Sequence, residues 1–71
     1  MSLRAHLETE ALHWALRSAI ATETCRDIAV RAGVHPTVLS RILRRSGYPS
    51  ENARTALSVA LGVRLDMESK P

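Results

Sequence analysis

Residues 22–45 read TETCRDIAVRAGVHPTVLSRILRR: two helix-forming runs flank a single glycine, and the second run ends in arginines. The first run opens at Thr24, a hydroxyl residue suited to an N-cap, with Asp27 three positions on as a shortened capping-box acid. Ile28, Ala29 and Ala32 give it an inward side, and Gly33 ends it. Glycine takes the left-handed conformation of a sharp turn without a Cβ penalty. After Val34 and His35, Pro36 suits the first position of a second helix, where a missing N–H is no loss. Val38, Leu39, Ile42 and Leu43 recur there at helical spacing, while Thr37, Ser40, Arg41, Arg44 and Arg45 take the other side. Two helices crossing steeply over so short a turn approach closely beside it. The first must be small at that point, as Ala29 is. The turn must tolerate an unusual backbone, as Gly33 does. The second must send back long or branched apolar side chains, as Leu39 and Ile42 do. These four residues are the expected scaffold of a helix-turn-helix, spanning about 25–32 and 36–45.

Outward from this pair, residues 4–21 contain no Gly or Pro and are rich in Ala and Leu, which predicts a long first helix. On a helical wheel Leu7, Ala11 and Trp14 share one apolar side, and Leu12, Leu16 and Ala19 another. A narrow polar stripe of His6, Glu10, His13 and Arg17 lies between them. Trp14 is expected in the core, and the broad apolar cover predicts two neighbours, the chain's own domain and a second chain. Met1-Ser2-Leu3 carries no weight in this reading. Ser46-Gly47-Tyr48-Pro49 reads as a loop, and Ser50 as the cap of a fourth helix over about 50–61. Its Ala53, Ala56, Leu57, Ala60 and Leu61 recur at three- and four-residue steps. Gly62 ends it, Val63 packs back over the last turn, and 64–71 is expected to be a short tail.

A chain of 71 residues makes one small domain, 1–71, and buries only about 60% of its unfolded surface, so its core is marginal unless a second subunit adds to it. No run approaches the roughly 20 apolar residues of a membrane span, and no secretory signal is visible. A single cysteine, Cys25, forms no internal disulfide and fits a reducing cytoplasm. The formal net charge of +3 is unevenly placed. Residues 24–48 hold Arg26, Arg31, Arg41, Arg44 and Arg45 against Asp27, a net +4, while the remainder nets −1. Such a segment is either the electrostatic footprint for a polyanion or a solvated arginine-rich face.

The run DIAVRAGVHPTVLSRIL resembles the helix-turn-helix of the lac repressor family, with its AGV turn and a recognition helix ending in Ser-Arg and two aliphatics. The wider layout, one helix before the pair and PSENARTALSVALGV after it, resembles the phage repressor and Cro-type family. The resemblance covers about residues 10–63. It implies an all-α, four- to five-helix lambda-repressor-like domain whose second helix of the pair enters the major groove of DNA. By motif position it places Pro36, Thr37, Ser40 and Arg41 at base edges, and Arg41 is the strongest reader because a guanidinium bonds guanine through two hydrogen bonds. It places Thr24, Cys25, Arg44, Arg45, Ser50 and Asn52 at phosphates, which helix N-termini also attract. His35 and Pro36 depart from the small polar residues common at the start of such a helix. The sequence leaves no room for a full fifth helix, so the long first helix is expected to serve dimerisation.

The expected function is therefore that of a cytoplasmic, sequence-specific regulator of transcription. It would be a Cro-like repressor binding double-stranded DNA as a homodimer on an inverted-repeat operator. The rival expectation is a protein-interaction module on the same fold, such as an antitoxin neutralising a toxin or an inhibitor of a host factor. No catalytic group, metal, cofactor, membrane or small-molecule ligand is expected. Nucleophile–base patterns, Gly-rich phosphate loops and clustered carboxylates are missing from the sequence. Cys25 lacks the partners of a reactive thiol, and His6 and His13 lie about 10 Å apart along a helix, too far for one metal ion. Tyr48 either bonds a phosphate or packs over its loop, and Arg31 is either solvated or bound to phosphate.

Overall fold

The computed structural model describes residues 2–65. Four helices follow in order: α1 (Leu3–Ala19), α2 (Cys25–Ala32), α3 (Pro36–Arg44) and α4 (Glu51–Leu61). There is no strand among the described residues, and none of their helices is long and apolar enough to cross a membrane.

Each helix begins on a side chain that accepts a first-turn N–H. Thr24 accepts from Asp27 at 3.1 Å, Ser50 from Ala53 at 3.2 Å, and Ser2 from Ala5 at 3.1 Å. Ser2 thus helps to define α1, contrary to the neglect of the first three residues above. Helix α1 stops at Ala19, two residues before its expected end.

Helices α2, α3 and α4 all end in one way, with a left-handed residue followed by an N–H that reaches back five positions. Gly33 has φ 74° with Val34 N donating to Ala29 O, and Gly62 has φ 70° with Val63 N donating to Ser58 O. The third such cap is Arg45, with φ 53° and Ser46 N donating to Arg41 O. An arginine there bears a Cβ penalty that glycine escapes. The expected helix 36–45 is accordingly one residue shorter, and Arg45 leaves its end in a new direction.

The core is drawn from all four helices: Leu12 and Leu16, Ile28 and Ala29, Leu39 and Ile42, and Leu57. Fully burying a side chain such as Leu39 stabilises the fold by roughly 1.5–3 kcal/mol relative to leaving it in water. Helix α1 packs on α3 and α4, and α2 packs on the same two. The four expected scaffold residues behave as their types require, with Ala29, Leu39 and Ile42 buried and Gly33 supplying the turn.

Of the two apolar sides expected for α1, that of Leu12, Leu16 and Ala19 packs into the core, while Leu7 and Trp14 of the other are exposed. The buried side of the helix is Ala5, Glu8, Thr9, Leu12, His13 and Leu16. Trp14, expected in the core, is 58% exposed, and Leu3 and Leu7 are exposed with it. At about 100° per residue these three fall on the side away from the core. His13, expected on a polar surface stripe, is buried because its Nδ1 donates to Ile42 O at 3.1 Å, tying α1 to α3. Glu8 is buried because two arginines reach it: Arg54 Nε on α4 donates at 2.7 Å and Arg4 Nε at 3.0 Å. Arg54 also donates to Pro49 O at 2.8 Å, closing the loop before α4 onto α1. Glu8 and the Nδ1 of His13 thus find partners, Arg54 and Ile42 from far along the chain, while Thr9 Oγ1 and His13 Nε2 are buried with no hydrogen-bond partner among the described residues. Of the tail expected over 64–71, residues 66–71 lie outside the described residues, while Leu65 packs on the core.

Candidate nucleic-acid interface

The residues expected at DNA fall into three groups, set by α2, α3 and α4. On α3, Pro36, Thr37, Arg41 and Arg44 are exposed and Ser40 is half-buried. The apolar side of α3, anchored by Leu39 and Ile42, fixes which way these side chains face. Arg41 and Arg44 form no ion pair with any described residue. A guanidinium in that condition keeps its donors available to an outside acceptor.

Arg45 is different. Its Nε and Nη2 each donate at 3.0 Å to the two carboxylate oxygens of Glu10 on α1, and its guanidinium lies 5.6 Å from the centre of the Trp14 ring. Arg17 lies at the same distance from that ring. The left-handed cap turns Arg45 toward α1, so the paired arginines of the sequence part company: Arg44 stays outward and Arg45 is held by an internal acid. The Arg45 hydrogen bonds hold the Glu10 carboxyl below its ordinary pKa.

Arg31 is likewise engaged. It pairs with Glu23, in the turn before α2, and its Nη2 donates to Ala60 O in the last turn of α4. Arg31 is exposed, and these bonds tie three segments together. Of the five arginines that made residues 24–48 basic, Arg31 and Arg45 are therefore neutralised by acids outside that segment. Arg26, Arg41 and Arg44 carry the remaining footprint.

At the starts of α2 and α4, Thr24, Ser50 and Asn52 are exposed and Cys25 is half-buried, packed against the core. The two cap hydroxyls each accept one N–H, which leaves Cys25 and Arg26 on α2, and Glu51 and Asn52 on α4, with N–H groups lacking an intrahelical acceptor. Such groups suit an anion, although Asp27 and Glu51 place a carboxylate in each first turn and weaken the attraction.

The start of α3 is built otherwise. His35 is its N-cap, and its Nδ1 accepts from Thr37 N at 3.2 Å with Thr37 Oγ1 at 2.8 Å. The Thr37 hydroxyl, expected at a base edge, is thus already joined to its neighbour. Tyr48 lies with its hydroxyl 2.9 Å from His6 Nδ1 and its ring edge-on to that imidazole, 6.1 Å between centres. It packs the α3–α4 loop onto α1.

Sequence reasoning missed Glu10 and Glu23 as internal acids and His35 as a cap. Nothing local signals the first, for Glu10 and Arg45 are 35 positions apart. A histidine directly before Pro36 was a signal for the second. No family model matches the chain, and neither a curated protein nor a solved structure matches it.

Proposed function

We propose that this chain is a sequence-specific regulator of transcription that binds double-stranded DNA through a helix-turn-helix, α2–Gly33–α3, of the lambda-repressor-like kind. The observation that carries the proposal is the outward side of α3, where Arg41 and Arg44 stand exposed with no internal acid while Leu39 and Ile42 anchor the opposite side. In this reading α3 lies in the major groove. Arg41 bonds a guanine, and Arg44, Arg26 and the starts of α2 and α4 hold phosphates. Binding as a Cro-like homodimer sets two copies of α3 about 34 Å apart on an inverted repeat and represses by occupying promoter DNA. The exposed Leu3, Leu7 and Trp14 of α1 support that dimer, because an apolar stripe turned away from the core calls for a second surface.

The same stripe favours a second reading, an interaction module that neutralises a toxin or inhibits a host factor, since exposed Trp beside Arg is the usual make-up of a binding hot spot. Selection of bound sequences from a random duplex pool separates the two. Recovery of a consensus with two-fold symmetry is the result expected for the regulator. A pool with no enriched sequence at low salt overturns it and leaves the protein-interaction reading.

A further inference from the structure

We infer that His35 reads a purine, through a hydrogen bond from its Nε2–H to N7 in the major groove, an inference that rests on the DNA-binding reading above. One donor at the start of α3 has no choice of role. The backbone N–H of Thr37 can only donate, and it lies 3.2 Å from His35 Nδ1. Nδ1 must therefore present its lone pair, and in the neutral ring the proton resides on Nε2. The Thr37 hydroxyl, 2.8 Å from the same atom, completes a fixed ring orientation. Nε2 sits on the far edge of an exposed side chain and bonds to no described residue. The cap thus converts a freely rotating imidazole into an oriented single donor at the tip of α3.

A phosphate is the other acceptor that a helix start could meet, and here the backbone argues against it. An anion held at a helix N-terminus needs free N–H groups. Pro36 has none, Thr37 N is given to His35 Nδ1, and Val38 N donates to His35 O at 3.0 Å. The tip of α3 has thus no free first-turn N–H for an anion, unlike the tips of α2 and α4, where two N–H groups each remain. Labour is divided between helix starts: α2 and α4 hold the backbone, and α3 offers one directed N–H to a base edge. A single donor meets N7 on adenine and guanine alike, so the discrimination is purine against pyrimidine. Arg41, with two donors, supplies the finer distinction elsewhere on the helix.

The test uses the whole chain and the duplex selected by it from a random pool. Each purine of a half-site is replaced in turn by its 7-deaza analogue, and binding is measured for the wild type and for His35→Ser. Serine keeps a cap oxygen for Thr37 N and removes the imidazole donor. Expected is one purine per half-site whose 7-deaza analogue weakens wild-type binding roughly 3–10-fold, the weight of one hydrogen bond. His35→Ser should show a similar loss on the parent duplex and no further loss on that analogue, with its melting temperature within a few degrees of the wild type. Independent, multiplying losses overturn the assignment, as does wild-type affinity in His35→Ser. A loss in His35→Ser that is matched by a methylphosphonate substitution, and by no 7-deazapurine, assigns the ring to the backbone and also overturns it. In each of these cases the selected consensus leaves the DNA-binding reading standing. Failure of the selection itself removes both.

Discussion

Arg45 grips Glu10 through two hydrogen bonds of 3.0 Å, and so the residue that ends α3 is fastened to the middle of α1. The contact exists because Arg45 adopts a left-handed backbone, φ 53°, which throws its side chain off the line of α3. One arginine thus caps a helix, neutralises an acid and flanks Trp14. Its side chain fastens α3 to α1.

Replacement of Arg45 separates these effects. Arg45→Gly removes the ion pair and relieves the left-handed backbone, whereas Arg45→Ala removes the pair and retains the Cβ penalty. The glycine variant should melt higher than the alanine variant by about 4 °C, and neither should lose DNA affinity as Arg44→Ala does. Equal melting temperatures would show that the cap carries no backbone strain.

Arg41 and Arg44 should differ in kind. Arg41→Ala is expected to cost about 1–3 kcal/mol on the selected site and to erase preference at one base per half-site. Arg44→Ala should weaken selected and random duplexes by a similar factor. Titrations of both variants against both duplexes give the comparison, and equal losses for Arg41→Ala on operator and random DNA would contradict its assignment as a reader.

Salt dependence follows from counting the arginines that no internal acid holds. With Arg26 and Arg44 each neutralising one phosphate and Arg41 given to a base, a dimer releases the counterions of about four, so log K against log salt should fall with a slope of about −4. A slope of about −7 would mean that Arg31 and Arg45 leave their acids on binding.

Acid should unfold the protein through its paired carboxylates. The hydrogen bond from Arg54 lowers the pKa of Glu8 despite the opposing effect of burial, and bonds from Arg45 and Arg31 lower those of Glu10 and Glu23. A carboxyl with a lower pKa folded than unfolded binds fewer protons in the native state. Its stabilisation is complete above the unfolded value, near 4.5, and is lost as pH falls through that value to the folded one. Thermal melts should hold steady from pH 7 to about 5.5 and drop below 4.5. Glu8→Gln should lower stability at pH 7 by about 3 kcal/mol, because it leaves Arg54 buried beside a neutral group, and should flatten the acid limb. A wild-type melting temperature unchanged at pH 3 would remove these pairs from the account of stability.

Oligomeric state tests the outer stripe of α1. Sedimentation at high micromolar concentration, with and without selected DNA, should give a dimer for the wild type and a monomer for Leu7→Glu, with the helix content of both unchanged. A monomeric wild type under both conditions would leave Leu3, Leu7 and Trp14 without the partner assigned to them.

How far the sequence could be read depends on the range of the interaction. Caps and turns are local, and Thr24, Gly33, Ser50 and Gly62 announced their helix ends through residue type alone. The inward sides of α2, α3 and α4 followed from apolar spacing for the same reason. Helix α1 passed that test only in part: Leu12 and Leu16 are buried as their spacing requires, but the buried side also includes Glu8, Thr9 and His13, and what makes Glu8 and His13 tolerable inside lies far along the chain. Arg54 is 46 positions from Glu8, and Ile42 is 29 from His13. A wheel drawn on hydrophobicity therefore turned Trp14 inward. The candidate site was legible to the extent that its residues sit on α3. The separation of Arg44 from Arg45 was not, because only the fold reveals that one cation is answered by Glu10.

Trp14 is the chain's one tryptophan, and it stands in water between two guanidinium groups. The protein consequently carries a built-in optical reporter on the very surface where a second molecule would sit. Docking there would strip solvent from the indole and shift its emission to shorter wavelength, whereas a ligand gripped only by α3 would leave the spectrum in place.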